Sequence, residues 1–239
     1  MASYVEKFHE NIKTPLNYIM RLRVQDNQIV DLAGNSITNK VNITTDSDGF
    51  IVFNSGYMQI NNHSILSANE DFTICSWIES YVPTNTSFCI FGSTINCDTN
   101  PKIGDFGLFN SGSRNGGGSN EIGTASWARN TNTINWGWPA DFNIAGPNKP
   151  NELHYLTFVR RRNKVMGFFD GRFCGSYSNV GTQYFRSVNC NIGFGTWDLP
   201  EHSTRPFWKG RIKDFCIIKG QALWKSAFKP PTKYLPDEW

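Results

Sequence analysis

The sequence predicts an all-β fold, a two-sheet antiparallel sandwich preceded by one short helix, and three observations lead there. Aromatic residues make up 14% of the chain and charged residues only 18%, with 21 glycines, a composition suited to strands and turns rather than a helical bundle. Segments that alternate apolar with polar residues recur along the chain, closed by glycine or by an Asp-Gly pair, as antiparallel strands joined by tight hairpins are. Helical periodicity is confined to one stretch near the N-terminus. At 239 residues the chain can bury a full core, and a single sandwich domain of this length is ordinary.

Residues 3–14 form the predicted helix: Ser3 and Glu6 make a capping box, Val5, Phe8 and Ile12 share one face, and Pro15 stops it. So short a helix is marginal alone and must dock, either on its own sandwich or as a peg into a partner. Strands are expected near 18–24, 41–45, 50–53, 57–60, 72–80, 87–92, 105–110, 121–128, 132–138, 153–160, 164–170, 173–178, 190–195 and 210–218. Between them, NSGSRNGGGSN at 110–120 reads as a loop. QALWKSAF (221–228) allows a short helical turn at most, and KPPTKYLPDEW (229–239) reads as an extended proline-rich segment laid over the surface. The chain divides into a helix and lead-in over 1–20, the sandwich over 21–224 and a C-terminal tail over 225–239.

The net charge of +3 is small and scattered, which argues against a nucleic-acid partner. One basic run, Arg160, Arg161, Arg162 and Lys164, falls where a hairpin turn belongs and is expected to be a solvated turn that blunts a sheet edge rather than a phosphate site. The N-terminus has no uninterrupted apolar run, so neither a signal peptide nor membrane insertion is expected, and the protein should be made in a cytosol and kept there or released without the secretory route. Cys75, Cys89, Cys97, Cys174, Cys190 and Cys216 lack CxxC spacing and sit mostly in apolar strand patterns, which suits reduced buried thiols. The four histidines stand at no ligand spacing from a cysteine, which disfavours zinc. Sequons at Asn42, Asn62 and Asn85 are read as chance occurrences.

Five segments carry a family resemblance. VDLAGN (30–35), DFTICSWI (71–78), the run from ELHYLTFV to FFDGRFCG (152–175), NIGFGTW (191–197) and FWKGRIKDFCIIKGQALW (207–224) follow one another as the strand motifs of laminin G-like, concanavalin A-like jelly rolls do. The chain resembles that superfamily from about residue 22 to about residue 224, and least over 96–150, where specificity is expected to reside. The resemblance implies a jelly-roll sandwich with Trp77 in its core. Some relatives hold one calcium ion, so calcium is allowed although no cofactor is required; Asp214 matches the closing-strand acid, with Asp26 or Asp31 as companions. Stand-alone chains ending in ALW-x-x-x-F-x-PP are similar to bacteriophage and other viral particle proteins, which implies a virion protein made in the host cytoplasm, its helix docking on other virion proteins.

Catalysis finds little support. Glucanases of this fold use a Glu-x-Asp-x-x-Glu strand, and retaining glycosidases need carboxyls about 5 Å apart, yet the chain contains no Glu-x-Asp. Glu70 and Asp71 are adjacent, and Asp46 and Asp48 lie in a turn beside Gly49. A non-catalytic module for a glycan or cell-surface polysaccharide is the stronger reading. Exposed indoles match the C–H faces of sugars, and amides and carboxylates match their hydroxyls. Trp127 with Asn130, Asn132 and Asp141, and Trp197 with Asp198 and His202, are the candidate ligand residues, while Trp136, Trp138 and Trp208 could equally be core. The alternatives are a structural decoration or assembly protein of a virion with no glycan ligand, and a secreted, extracellular eukaryotic adhesion domain, which would require disulfides.

Overall fold

A computed structural model describes residues 14–61, 70–81, 88–92, 106–111, 121–127, 142–147, 151–178, 190–193 and 208–238. All regular structure within them is strand: β1 (Tyr18–Gln25), β2 (Gln28–Asp31), β3 (Ser36–Thr45), β4 (Ile51–Asn61), β5 (Phe72–Ser80), β6 (Phe88–Gly92) and β7 (Phe106–Ser111). There follow β8 (Glu121–Trp127), β9 (Phe142–Pro147), β10 (Leu153–Arg161), β11 (Lys164–Phe169), β12 (Arg172–Ser178), β13 (Cys190–Ile192) and β14 (Lys209–Lys219). The helix expected over 3–14 lies outside the described residues apart from Thr14, as does the strand expected over 132–138.

The strands pair antiparallel along one path, β12-β11-β10-β5-β14-β4-β13-β6-β7-β8-β9, with β1, β2 and β3 attached at its side. The path doubles back, so that β9 at one end contacts β11 and β12 at the other. The strand that carries it across is β4. Its first half pairs with β14, Ile51 opposite Ile212, and its second half with β13, Met58 opposite Ile192. Between the halves Ser55 takes φ 51°, and the buried positions change parity from Ile51 and Phe53 to Gly56, Met58 and Ile60. That is a bulge, the device by which a strand bends between sheets. The sequence expectation of two strands, 50–53 and 57–60, is corrected here: NSG is a bend within one strand, and any Cβ on Gly56 would sit 2.3 Å from the Val41 carbonyl oxygen.

The turn chemistry accounts for two hairpins. Asp170 and Gly171 both have positive φ and join β11 to β12, as the Asp-Gly pair predicts. Asp26 and Asn27 do the same between β1 and β2, a hairpin and a strand that the sequence reading did not include. β9 was likewise not expected, and β3 begins at Ser36 rather than 41.

Two apolar clusters flank the sheet that runs from β11 through β10 and β5 to β14. One fills the interior, with Met20, Leu22, Phe53, Ile78, Phe91, Phe158, Trp208 and Phe215 among its members. The other covers the opposite face and joins Cys75, Tyr155, Val159, Phe168 and Cys216 to Leu16, Trp224 and Leu235. β10 is consequently buried continuously from His154 to Arg160, as a strand covered on both faces must be. The covering layer is the chain after β14. Trp224 and Phe228 stack with ring centroids 4.0 Å apart, both edge-on to Tyr155, which gives the ALWKSAF spacing a packing role without any helical turn. The surface position expected for the tail is corrected for Leu235, which is only 2% exposed. Cys75, Cys174 and Cys216 are free thiols, and burial raises the Cys216 thiol well above its ordinary value.

Candidate functional site

Asp214, the candidate calcium ligand, lies at a second bulge, φ 51°, where the β14–β5 register shifts between Lys213 and Cys216. Its carboxylate is 3% exposed and already engaged: Oδ1 accepts from Arg21 Nε at 3.3 Å and Arg23 Nε at 2.7 Å, and Oδ2 accepts from the Leu235 amide at 2.6 Å. Arg21 also donates to Asp237 and to the Leu235 carbonyl, so two acids, Asp214 and Asp237, and two guanidiniums bind the tail to β1 and β14. Burial, the largest single influence, lowers the Arg21 guanidinium, but Asp214 together with Cys216, Tyr18 and the Asp237 hydrogen bond outweighs it and holds the group above its ordinary value. Asp31 is spent locally, accepting from the Arg21 and Ala33 amides at 2.8 and 2.9 Å and from Asn35 Nδ2 at 2.5 Å. Asp26 is the exposed first residue of the β1–β2 turn. These three acids do not fit a calcium ion, because two fixed cations occupy Asp214 and backbone and amide donors occupy Asp31. Among the described residues no group of three or more acidic, histidine or cysteine side chains converges.

Other described acids are similarly committed. Arg211 bridges Glu79 and Asp46, 2.8 and 2.9 Å away, and Asp46 also caps its own turn by accepting from the Asp48 and Phe50 amides. His154 Nδ1 is hydrogen-bonded to Asp170 at 2.8 Å, and Asp170 accepts from the Tyr155 amide, which fixes the β11–β12 turn.

Of the sugar-site candidates, Trp127 ends β8, opposite Phe106 of β7. Asn130, Asn132, Asp141, Trp197, Asp198 and His202 lie outside the described residues, as do Trp136 and Trp138. Trp208, which the sequence left open between core and ligand, is a core residue: it is fully buried, 5.2 Å from the Phe53 ring. Trp77, expected in the interior, instead packs half-buried on the outer cluster, 5.0 Å from Tyr155.

Described residues line a groove of about 350 Å³. Arg161, Arg162, Asn163 and Lys164 come from the β10–β11 hairpin, Met166 and Ser178 from β11 and β12, and Lys225 from the segment after β14. Register explains the gathering, because Lys164 lies opposite Arg161 on one side and Ser178 on the other. The turn is held by the Arg162 amide donating to Asp71 at 2.6 Å and by Arg160 Nε donating to the Arg162 carbonyl at 3.1 Å. Arg160 is thereby corrected from a solvated turn residue to a buried support, and burial lowers its guanidinium below its ordinary value. The basic run pointed here; Lys225, more than sixty positions along the chain, carried no sequence signal.

Solved structures share this architecture. Domain 4 of AbnA, a GH43 extracellular arabinanase from Geobacillus stearothermophilus in complex with arabinotriose, is 14% identical, with a TM-score of 0.63 over 87% of this chain and 95% of that one. The botulinum neurotoxin serotype D binding domain is 14% identical (TM-score 0.60, 87% and 48% covered), and that of Paraclostridial Mosquitocidal Protein 1 is 15% identical (TM-score 0.58, 87% and 49%). The chain thus spans about half the length of the toxin binding domains it matches. These likenesses establish the fold alone. No curated protein matches the sequence. A family profile does, over residues 53–223, from the layer-crossing strand β4 to the segment that packs Trp224, and the chain belongs to that family, Laminin_G_3 of the concanavalin A-like lectin/glucanases superfamily.

Proposed function

We propose that this protein is a non-catalytic carbohydrate-binding module. The observation that carries the reading is the match of nearly the whole chain to a complete domain solved with arabinotriose, AbnA domain 4, on a family fold shared by lectins. The toxin neighbours, named as binding domains, support a recognition role in the same direction. In this reading Trp127, at the end of β8, and Trp197, in the connection between β13 and β14, present indole faces to sugar rings, with Asn130, Asn132, Asp141, Asp198 and His202 as hydroxyl partners. The test is a glycan array probed with the full chain, with and without calcium, followed by Trp127→Ala and Trp197→Ala. Specific binding that falls about tenfold or more in a folded variant supports it. A clean negative over neutral and acidic glycans sinks it.

The finer reading places the module on a virus or phage particle, with residues 1–14 as the docking peg. It is supported by the similarity of the ALWKSAFKPP ending to virion chains. Deleting residues 1–14 should then release the protein from the particle with its unfolding temperature unchanged; retention on the particle would refute the peg.

A further inference from the structure

We propose that the groove at the β10–β11 hairpin binds the sulfate or carboxylate groups of an acidic saccharide, a proposal that rests on the sugar-binding reading and names the ligand class. Four cations, Arg161, Arg162, Lys164 and Lys225, line one groove that has no carboxylate in its wall. Elsewhere the protein neutralises its clustered cations: Arg21 and Arg23 share Asp214, Arg211 takes Glu79 and Asp46, and Lys219 takes Glu70 at 3.3 Å. The groove cations make no ion pair among the described residues.

Their arrangement is costly without an anion. Arg161 and Lys164 are direct cross-strand partners, and like charges so placed repel. Arg162 holds φ 54° at the first of the two central turn positions, where glycine, asparagine or aspartate ordinarily sits. Glycine at position 162 and a neutral residue at 164 would avoid both penalties, yet the fold spends Asp71 and the buried Arg160 on holding this turn. Strain maintained by its surroundings is a mark of functional segments. Lys225 is delivered by a fixed backbone, since its neighbour Trp224 is 5% exposed and stacked on Phe228.

The remaining lining favours a sugar over a bare ion. Asn163 and Ser178 offer neutral hydrogen-bonding groups to hydroxyls, and Met166, 5% exposed, gives an apolar floor for a C–H face. A volume of about 350 Å³ exceeds what one tetrahedral anion fills and sits at the lower end of the range for ligand pockets. Four cations around one recess differ from the long basic stripe that a nucleic acid needs.

The experiment compares dextran sulfate, polygalacturonate, neutral dextran and inorganic sulfate by calorimetry on the full chain. Two double variants accompany it: Lys164→Gln/Lys225→Gln in the groove, and Lys40→Gln/Lys209→Gln as an equally charged control on exposed strand positions. At least one acidic polymer should bind where neutral dextran does not, and the two polymer arms identify sulfate or carboxylate as the preferred group. The groove variant should bind it about tenfold to a hundredfold more weakly, the loss of one or two charge-assisted contacts, while the control stays within about twofold. Raising salt from ~0.05 to ~0.5 M should weaken binding in step with screening. Lys164→Gln alone should not lower the unfolding temperature, because it removes a like-charge pair, so lost binding cannot be attributed to misfolding. The proposal is overturned if neither acidic polymer binds, if the control loses as much as the groove variant, or if inorganic sulfate competes as well per charge as the polymer. Array binding of neutral glycans, measured on the same groove variant, separates the two readings: its persistence leaves the sugar-binding module standing when the acidic site fails.

Discussion

Asp214→Asn isolates the charge at the centre of the tail anchor. Asparagine keeps the volume and tolerates the positive φ of 51° at this bulge, so the backbone is not the variable. The carboxylate accepts three hydrogen bonds, two from guanidiniums, while itself 3% exposed. An amide retains one acceptor oxygen, turns an NH2 toward a former donor and leaves the 3%-exposed Arg21 with Asp237, which is 85% exposed, as its remaining acid. Breaking one side of a buried pair costs about 3–5 kcal/mol, and at about 2–4 °C per kcal/mol for a domain of this size the unfolding temperature should fall by roughly 6–20 °C. Urea unfolding and differential scanning calorimetry measure it. A loss under ~1 kcal/mol would refute the claim that this pair fixes the tail. Adding calcium to the unmodified protein should leave its unfolding temperature unchanged; a rise growing with the logarithm of calcium concentration, abolished in Asp214→Asn, would show that the carboxylate is a metal ligand after all.

Leu235→Ala should cost about 2–5 kcal/mol in the same urea assay, since the side chain is 2% exposed in the outer cluster; a change below ~1 kcal/mol would return the tail to the surface. Gly171→Ala should be destabilising by more than the ~1 kcal/mol of an ordinary glycine exchange, because φ is 74° and a Cβ would lie 1.9 Å from the Phe228 carbonyl oxygen. Retained stability there would mean that the segment around Phe228 is not held against the turn. Burial pushes Tyr18 and Tyr155 well above their ordinary value of 10.0, so their contribution to stability is complete below that pH and is lost as pH rises past it, when only the unfolded chain ionises. Unfolding free energy should therefore hold to about pH 9 and then decline, with ultraviolet titration showing phenols that ionise only on unfolding; two tyrosines titrating normally in the folded protein would contradict this.

Period-2 alternation and turn chemistry were sufficient to read β10, β11, β12 and β14 from the sequence, because those strands are bounded by Asp-Gly, Arg-Asn or glycine turns. The same local logic failed at NSG of β4, where a bulge and a turn use the same residues and only the pairing of β4 with both β14 and β13 distinguishes them. Asp214 read as a metal ligand because an acid in a closing strand is locally the same whether it meets an ion or two arginines; Arg21 and Arg23, from the other end of the chain, decide it. Trp208 is interchangeable with a surface indole in the sequence, and Phe53 across the interior makes it core. The basic run was visible, but its convergence with Lys225 was not, since a groove is a relation between segments distant along the chain. The sequence by itself determined most of the strand segments, though not β2, β9 or the continuity of β4, and which residues carry charge, properties set by side chains a few positions apart. Only the tertiary structure decided which charges neutralise one another and which face open water, because Coulomb energy depends on distance in space and burial rather than on separation along the chain.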